Sequence, residues 1–344
     1  MKRLFILALN LIFAITGCSS IQSDITDEKS KVYLAASTEQ TTETKAPYLA
    51  TDPKDAPLTV LIFASTTENS FPNTVKDGTD SHYGVINKHV EANFQNSQQQ
   101  LINGIYYNRN YSSYIANFVG LYPSTGWTGE DTYTIVTREF DGKTDLMYAP
   151  ATKGQYGNQL KPELIFRHLL TYLKIELSAE NEGAIAAWGA IESMTINCRN
   201  TLNLDITTGQ VSYPGTPSEC EFYNKSDDSH FVSSNKPYTL TVEAKEAAYI
   251  LCAPVDAIAK EQYEPFDRFP EYTITLSTTY RKNIVLDIDL KTAEGESDAA
   301  YFNKNTAGYM FTIGLKFKMG NNIAISTSIT DWTTGGIGTG EVEL

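Results

Sequence analysis

The chain has 344 residues, which is more than one small β-sandwich needs and enough for two domains with separate cores. Its formal net charge of −14 argues against nucleic acid as a partner, because binding to phosphates requires patches of Lys and Arg. The same acidity is also compatible with solubility alone. The 21 Tyr and 15 Phe residues favour strands over helices.

The first residues have the pattern of a targeting segment. Lys2 and Arg3 form a basic head, and the apolar run over residues 4–15 is too short to span a membrane. A small residue then directly precedes Cys18, which resembles the bacterial lipobox, where cleavage before the cysteine accompanies its lipidation. We therefore predict a signal peptide over residues 1–17 and a lipid anchor on Cys18. The alternative is an ordinary secretory signal with an incidental cysteine.

A polar tether follows the signal and leads into a short strand. Residues 19–31 are predominantly polar. Val32, Leu34 and Ala36 then occupy alternate positions, which is the period of a β-strand with one buried face. We predict a strand over residues 31–37 with these three side chains pointing inward.

The first half of the chain continues with both strand and helix patterns. Residues 58–64 form a continuous apolar run that fits a strand buried on both faces. Residues 114–122 indicate another strand, which Pro123 ends. Apolar residues at helical spacing predict helices over 85–94 and 164–173.

The second half contains strands without long helices between them. Residues 191–198, 272–278 and 284–290 have the composition and alternation of strands. The clearest pattern covers residues 309–332, where apolar positions alternate on both sides of a turn at residues 320–322. This pattern predicts a β-hairpin whose apolar face requires a second sheet, since a lone hairpin is marginal in water.

Antiparallel strands without alternating long helices predict an all-β protein with two tandem β-sandwich domains. We place the boundary near Ser178. The N-terminal domain, with the tether, covers residues 18–178, and the C-terminal domain covers residues 179–344.

Three cysteines remain after Cys18, namely Cys198, Cys220 and Cys252. Outside the cytoplasm, an odd number allows one disulfide and one free thiol. The alternative is that all three are buried and unpaired, and the sequence does not select a pair.

No constellation of residues indicates catalysis. None of the four histidines lies in the His-Glu-x-x-His pattern of a zinc protease, and no Gly-x-Ser-x-Gly elbow is present. We interpret His168 as a packed core or interface residue. Trp127, Trp188 and Trp332 could stack on sugars, although packing in the core or at its rim is the simpler interpretation. We expect no enzyme activity, no cofactor and no metal site.

Four short stretches, in order along the chain, carry a resemblance to one known family. Gly-Lys-Thr-Asp-Leu-Met-Tyr-Ala at 142–149 resembles a Gly-x-Thr-Asp-hydrophobic motif, and Phe-Arg-His-Leu-Leu-Thr at 166–171 resembles a Phe-x-His-x-Leu motif. Ala-Trp-Gly-Ala-Ile at 187–191 resembles the opening of a second domain, and the strand ending in Asp-Trp-Thr at 331–333 resembles a closing strand. Together with the lipobox, this ordered set is similar to the fimbrillin family, the FimA- and Mfa-like type V pilus proteins of Bacteroidetes.

The resemblance implies a surface lipoprotein with two transthyretin-like sandwiches after the signal peptide and tether. In the family, an N-terminal strand completes the first sheet of the precursor and is removed by proteolysis. A strand from another subunit then fills the exposed groove. The resemblance assigns Val32, Leu34 and Ala36 to the exchanged strand.

The processing site departs from the family pattern. The family's cut typically follows arginine, and no arginine lies between Arg3 and Arg109. We therefore predict cleavage between Lys45 and Ala46. The alternative is an unprocessed, permanently anchored chain.

Two hypotheses of different class follow. The first is a fimbrial subunit or fimbrillin-like lipoprotein on the outer membrane surface, which supports adhesion. Its partners would be other fimbrial subunits, through strand addition, and ligands on host or bacterial surfaces. The second is a non-polymerising surface lipoprotein that binds a glycan or a host ligand. Stalk, tip and anchor positions stay open within the first hypothesis.

Overall fold

A computed structural model describes most of the chain, and strands make up most of what it describes. The described residues are 31–38, 58–65, 88–94, 99–107, 115–129, 134–158, 160, 162–231, 236–254, 272–288, 307–320, 322–331 and 340–342. Within them lie a 3₁₀ turn, Tyr156–Asn158, and one α-helix, α1 (Glu182–Trp188). The sequence predicts an all-β protein, and the described residues are mostly β, with one short helix. The strands, numbered along the chain, are β1 (Lys31–Thr38), β2 (Leu58–Ser65), β3 (Lys88–Phe94), β4 (Gln100–Tyr106), β5 (Ile115–Tyr122), β6 (Thr128–Gly129), β7 (Ile135–Glu139), β8 (Met147–Gln155), β9 (Glu163–His168), β10 (Thr171–Ala179), β11 (Ile191–Cys198), β12 (Thr201–Asp205), β13 (Val211–Ser212), β14 (Ser218–Glu221), β15 (Tyr223–Asn224), β16 (Lys245–Cys252), β17 (Tyr272–Thr278), β18 (Ile284–Ile288), β19 (Tyr309–Phe317), β20 (Ile323–Asp331) and β21 (Gly340–Val342).

The first sheet has seven strands in the order β3-β2-β5-β8-β9-β1-β4. β3 and β4 stand at opposite ends of this order, yet only residues 95–99 separate them in the chain. The sheet must therefore curl, since so few residues cannot span a flat sheet of this width. Buried side chains from all seven strands fill the curl as one first core, which includes Val32, Leu34, Val60, Ile62, Phe94, Ile102, Ile105, Phe118, Met147, Leu164 and Phe166.

Two further sheets enclose the second core. One has six strands in the order β15-β16-β10-β19-β20-β21, and the other has four in the order β14-β11-β17-β18. Both contribute buried side chains to one cluster, so they pack face to face. α1 covers this core through Trp188, whose indole N–H donates to the Lys318 carbonyl at 2.9 Å. Its ring packs edge-on against Phe317 at a centroid distance of 5.2 Å.

A small fourth sheet links the two halves of the chain. Its order is β13-β12-β7-β6, and β12 pairs with β7 in antiparallel register from Thr201 opposite Glu139 to Asp205 opposite Ile135. Side chains from this sheet and from both larger sheets form a third core. The predicted boundary near Ser178 falls at the end of β10. The domain boundary stays a prediction, because β7 precedes Ser178, β12 follows it, and the two strands share one sheet.

The C-terminal hairpin prediction is confirmed in its described residues. β19 and β20 pair in register from Tyr309 opposite Asp331 to Phe317 opposite Ile323. β19 also pairs in parallel with β10, which makes it an interior strand. The alternating side chains that the sequence places on one face are buried in the second core: Phe311, Ile313, Leu315 and Phe317 from β19, and Ile323 and Ile325 from β20.

Both helix predictions in the first half are wrong. Residues 88–94 form β3, in which Phe94 is buried whereas Glu91 and Asn93 are exposed. Residues 163–168 form β9, in which Leu164 is buried and Ile165 is exposed. In each case the apolar positions also satisfy a period of two, and pairing with neighbouring strands satisfies the backbone groups that a helix would have paired internally.

Candidate functional site

β1 lies between β9 and β4 in the seven-stranded sheet. It is parallel to β9, with Ala35 opposite Glu163 and Thr38 opposite Phe166. It is antiparallel to β4, with Leu34 opposite Gln100, and its register shifts before Tyr33. The chain therefore inserts its first described strand into an interior position of the seven-stranded sheet.

The inward side chains of β1 are those that the sequence predicted. Val32 and Leu34 are fully buried and Ala36 is nearly so, all within the first core. Ala35 is also buried, which shows that this end of the strand is covered on both faces. The outward hydroxyl of Ser37 donates to Glu163 Oε1 at 2.7 Å. Burial of two branched apolar side chains stabilises β1 in its slot by about 3–6 kcal/mol before conformational entropy is subtracted.

The position of β4 depends on β1. Among the described strands, β1 is the only one hydrogen-bonded to β4. Without β1, the facing edges of β9 and β4 would expose unpaired backbone N–H and C=O groups beside apolar pockets. Such an edge is a template for another strand.

A second constellation lies where the first sheet meets the six-stranded sheet. Asp145, in the turn before β8, and His168, at the end of β9, form a pair in which Oδ2 lies 2.7 Å from Nδ1. Next to them, the Leu169 N–H donates to the Leu146 carbonyl at 2.8 Å. Asp145 and His168 belong to two different motifs that carry the resemblance, and sequence reasoning missed that these motifs meet in space.

The turn that carries Asp145 is organised by Asp141. Asp141 Oδ1 accepts hydrogen bonds from the backbone N–H groups of Lys143 and Thr144 at 2.8 and 2.7 Å. Its Oδ2 accepts from the Thr144 hydroxyl at 2.9 Å. Burial by itself raises the pKa of Asp141, but these hydrogen bonds outweigh burial and hold the pKa below its usual range. Gly142 supplies the positive φ of 79° that this turn requires.

Three of the predicted site residues lie outside the described residues. These are Cys18, Lys45 and Ala46, so lipidation and processing stay predictions. Val32, Leu34 and Ala36 are brought together on one face of β1, whereas their exchange with another subunit stays a prediction.

The structure places His168 and two of the three tryptophans. Trp188 is buried in the second core, so its ring is not available to a sugar. Trp127 is partly buried, donates to the Pro123 carbonyl at 2.8 Å and packs under Arg138. Trp332 lies outside the described residues. His168 is packed at the junction, as interpreted.

The described residues also bear on metal binding, membrane crossing and disulfide formation. Among them, no group of three or more His, Cys, Asp and Glu side chains could hold a metal ion. No described helix has the length and hydropathy that a membrane crossing requires. Cys198, Cys220 and Cys252 are all free thiols in this structure.

Comparisons with known proteins agree with the fold. The family model described as Fimbrillin-like matches residues 26–332. A candidate cell adhesion protein from Bacteroides uniformis is similar at a TM-score of 0.53 and 15% identity, over 88% of this chain and 98% of that one. This likeness concerns the fold alone. No match was found among curated proteins.

Two further solved structures are similar at lower TM-scores. A fimbrial protein from Bacteroides vulgatus has 13% identity and a TM-score of 0.46, over 88% of this chain and 100% of that one. The fimbrial anchor protein Mfa2 from Porphyromonas gingivalis has 12% identity and a TM-score of 0.40, over 88% of this chain and 97% of that one.

Proposed function

This chain belongs to the fimbrillin-like family, and on that premise we propose that it is a surface lipoprotein that assembles with fimbrial subunits by β-strand exchange and supports adhesion. Its role is structural rather than catalytic, and its partners are other fimbrial subunits. The match of the Fimbrillin-like family model to residues 26–332 supports this class of function. The proposed location is the outer membrane surface, with the chain anchored through lipid on Cys18.

We further propose that the architecture is two tandem transthyretin-like sandwiches. The separate first and second cores support this proposal, because each is enclosed by its own strands. The third core and the small sheet would then form the contact between the two sandwiches.

The observation that carries the proposal is the position of β1. It occupies an interior slot between β9 and β4, and residues 39–57 join it to β2, the next strand in the chain. A single cut in residues 39–57 would separate β1 from the rest of the polypeptide. The slot offers hydrogen-bonding edges for affinity and the pockets of Val32 and Leu34 for specificity.

Cleavage between Lys45 and Ala46 would couple two events. It would release the body of the protein from an anchor on Cys18, and it would leave β1 held by non-covalent contacts only. A competing strand could then replace β1 without breaking a covalent bond. An uncut chain would stay anchored and closed.

The experiment that tests the proposal is N-terminal sequencing of the full chain recovered from the surface of the cells that produce it. The wild type is compared with Lys45→Gln, and Lys54→Gln in the same segment is the matched control. We expect Ala46 as the first residue in the wild type and in the control, together with high-mass ladders in unheated detergent gels. We expect lipidated Cys18 and no ladders for Lys45→Gln. A wild-type surface protein that keeps Cys18 and β1 and forms no ladder would overturn strand exchange.

A further inference from the structure

Two of the three free thiols lie on neighbouring strands. Cys198 is the last residue of β11, and Cys220 lies in β14. Cys198 is buried in the second core, and Cys220 is partly exposed and packs against the same core. Neither thiol has a part in the proposed strand exchange, and the sequence did not select them as a pair.

The strand register places these two side chains on one face. In the antiparallel pair of β11 and β14, Ile196 lies opposite Cys220 and Cys198 lies opposite Ser218. Because Ile196 and Cys198 are two residues apart, both side chains point to the same face as that of Cys220. Cys198 and Cys220 are therefore diagonal neighbours, and the Cys220 sulfur lies 4.0 Å from the Cys198 carbonyl oxygen.

A bond between them requires only a small movement. Diagonal neighbours are about 7–8 Å apart at Cα, and disulfides usually span about 4.4–6.8 Å, so an approach of roughly 1–2 Å is needed. β14 is a four-residue strand at the edge of its sheet, and no described strand pairs with its outer edge. A short edge strand can shift at low cost, whereas β11 is held between β14 and β17.

Thiol–disulfide exchange begins with an accessible thiolate, and the two thiols differ in pKa and in exposure. A hydrogen bond with Cys198 lowers the pKa of Cys220, and the partial exposure of Cys220 makes it accessible to a small disulfide. The same hydrogen bond, together with burial, raises the pKa of Cys198. Cys252 is fully buried, and its sulfur lies 3.7 Å from the Thr171 carbonyl oxygen.

We propose that Cys198 and Cys220 form a reversible disulfide between β11 and β14 by exchange with a small organic disulfide, while Cys252 stays a thiol. The Cys220 thiolate attacks one sulfur of the organic disulfide, and the other half leaves as a thiolate. Cys198 then loses its proton, attacks the Cys220 sulfur of the mixed disulfide and expels the second half. Two protein thiols are oxidised by two electrons, and the organic disulfide is reduced to two thiols.

The bond would close a loop that contains β12 and β13. β12 is the strand that pairs with β7 from the first half of the chain. The disulfide would therefore join the two ends of the segment 198–220 covalently. Separation of β12 from β7 would then become rarer. The proposed function enters only through the compartment, because a surface location allows disulfides to persist.

The test is peptide mapping of the full chain after equilibration with oxidised glutathione and digestion with trypsin without reduction. The cysteines fall on separate tryptic peptides: 4–29 for Cys18, 175–199 for Cys198, 200–225 for Cys220 and 246–260 for Cys252. We expect a cross-link between 175–199 and 200–225 in the wild type and in Cys252→Ser, and none in Cys220→Ser. Alkylation of Cys198, Cys220 and Cys252 alike after oxidation, or a cross-link that contains 246–260, would overturn the proposal.

A second measurement follows the link between the halves. Amide hydrogen exchange in β7 and β12 should slow at least several-fold when the wild type is oxidised, and it should return on reduction. Cys220→Ser, whose side chain is partly exposed, provides a folded control in which the same treatment changes nothing. Equal exchange in the oxidised and reduced wild type would contradict the role in the link. Neither readout depends on processing at Lys45. Failure of the disulfide proposal can therefore be distinguished from failure of strand exchange.

Discussion

Asp145 and His168 form a buried pair where the two halves of the chain meet, with 2.7 Å between Asp145 Oδ2 and His168 Nδ1. The two side chains are only 6% and 7% exposed. Asp145 precedes β8 and His168 ends β9, so the pair holds the entry of one strand against the exit of the next. The Gly-x-Thr-Asp and Phe-x-His-x-Leu stretches therefore meet in space through this pair.

Removal of either partner should destabilise the protein strongly. Asp145→Ala or His168→Ala removes one side of a buried hydrogen bond, which costs about 1–3 kcal/mol in free energy of unfolding. The double variant should cost less than the sum of the two single variants, because the second substitution removes the orphaned group. Urea unfolding of all three measures this coupling.

The control for this prediction is an exposed ion pair. Lys236 lies 2.9 Å from Asp227, but its side chain is 74% exposed. Lys236→Ala should therefore leave the free energy of unfolding nearly unchanged. Equal losses for Lys236→Ala and His168→Ala would show that burial of the pair is unimportant.

Gly142→Ala should destabilise the turn for two separable reasons. Its φ of 79° is unfavourable for a residue with a Cβ, and that Cβ would lie 2.9 Å from Ile250 Cγ1. Gly157 has a φ of 76° with no atom within 4 Å of an added Cβ, so Gly157→Ala measures the backbone effect alone. We expect about 1 kcal/mol for Gly157→Ala and about 1–3 kcal/mol more for Gly142→Ala. Thermal or urea unfolding of both variants measures these costs. Equal losses of stability for Gly142→Ala and Gly157→Ala would contradict a steric contribution from Ile250.

Asp141 should contribute stability that depends on pH. Although burial opposes the charged form, hydrogen bonds from Thr144 and Lys143 hold the folded-state pKa below the unfolded value. The contribution is therefore present above the unfolded pKa of about 3.9 and is lost as pH falls through the folded pKa. The stability difference between the wild type and Asp141→Asn should shrink as pH is lowered from about 7 to about 3. Urea unfolding over this range measures it, and a constant difference would contradict the assignment.

Weakening of β1 should act first on β4. Leu34→Ala removes a fully buried side chain from the first core, which costs about 2–5 kcal/mol. Since β1 is the only described strand that is hydrogen-bonded to β4, amide exchange should accelerate more in β4 than in β2. Ser37→Ala, which removes only a surface hydrogen bond to Glu163, is the control and should leave both strands nearly unchanged. Equal acceleration in β2 and β4 would mean that β1 is not a separable unit.

Alternation of apolar and polar residues was sufficient to predict a strand wherever one face of the strand is buried and the other is exposed. β11 and β17 coincide with the predicted strands over residues 191–198 and 272–278. It failed at β3 and β9, where a few apolar residues fit both a helical and a strand period. At these places the backbone partners on neighbouring strands decided the outcome, and those partners are distant in sequence. The short helix α1 was not predicted, although Asn181 caps it through a hydrogen bond from the Ala184 N–H.

The sequence by itself determined which side chains share a face. The alternation in β1 selects Val32, Leu34 and Ala36, and the alternation in β19 selects the apolar face of the C-terminal hairpin. Only the tertiary structure decided what those faces and edges meet: β1 between β9 and β4, β12 beside β7, and Asp145 beside His168. The physical reason is that side-chain periodicity reports whether a face is buried, whereas the partner is chosen by the packing of segments far apart in the chain.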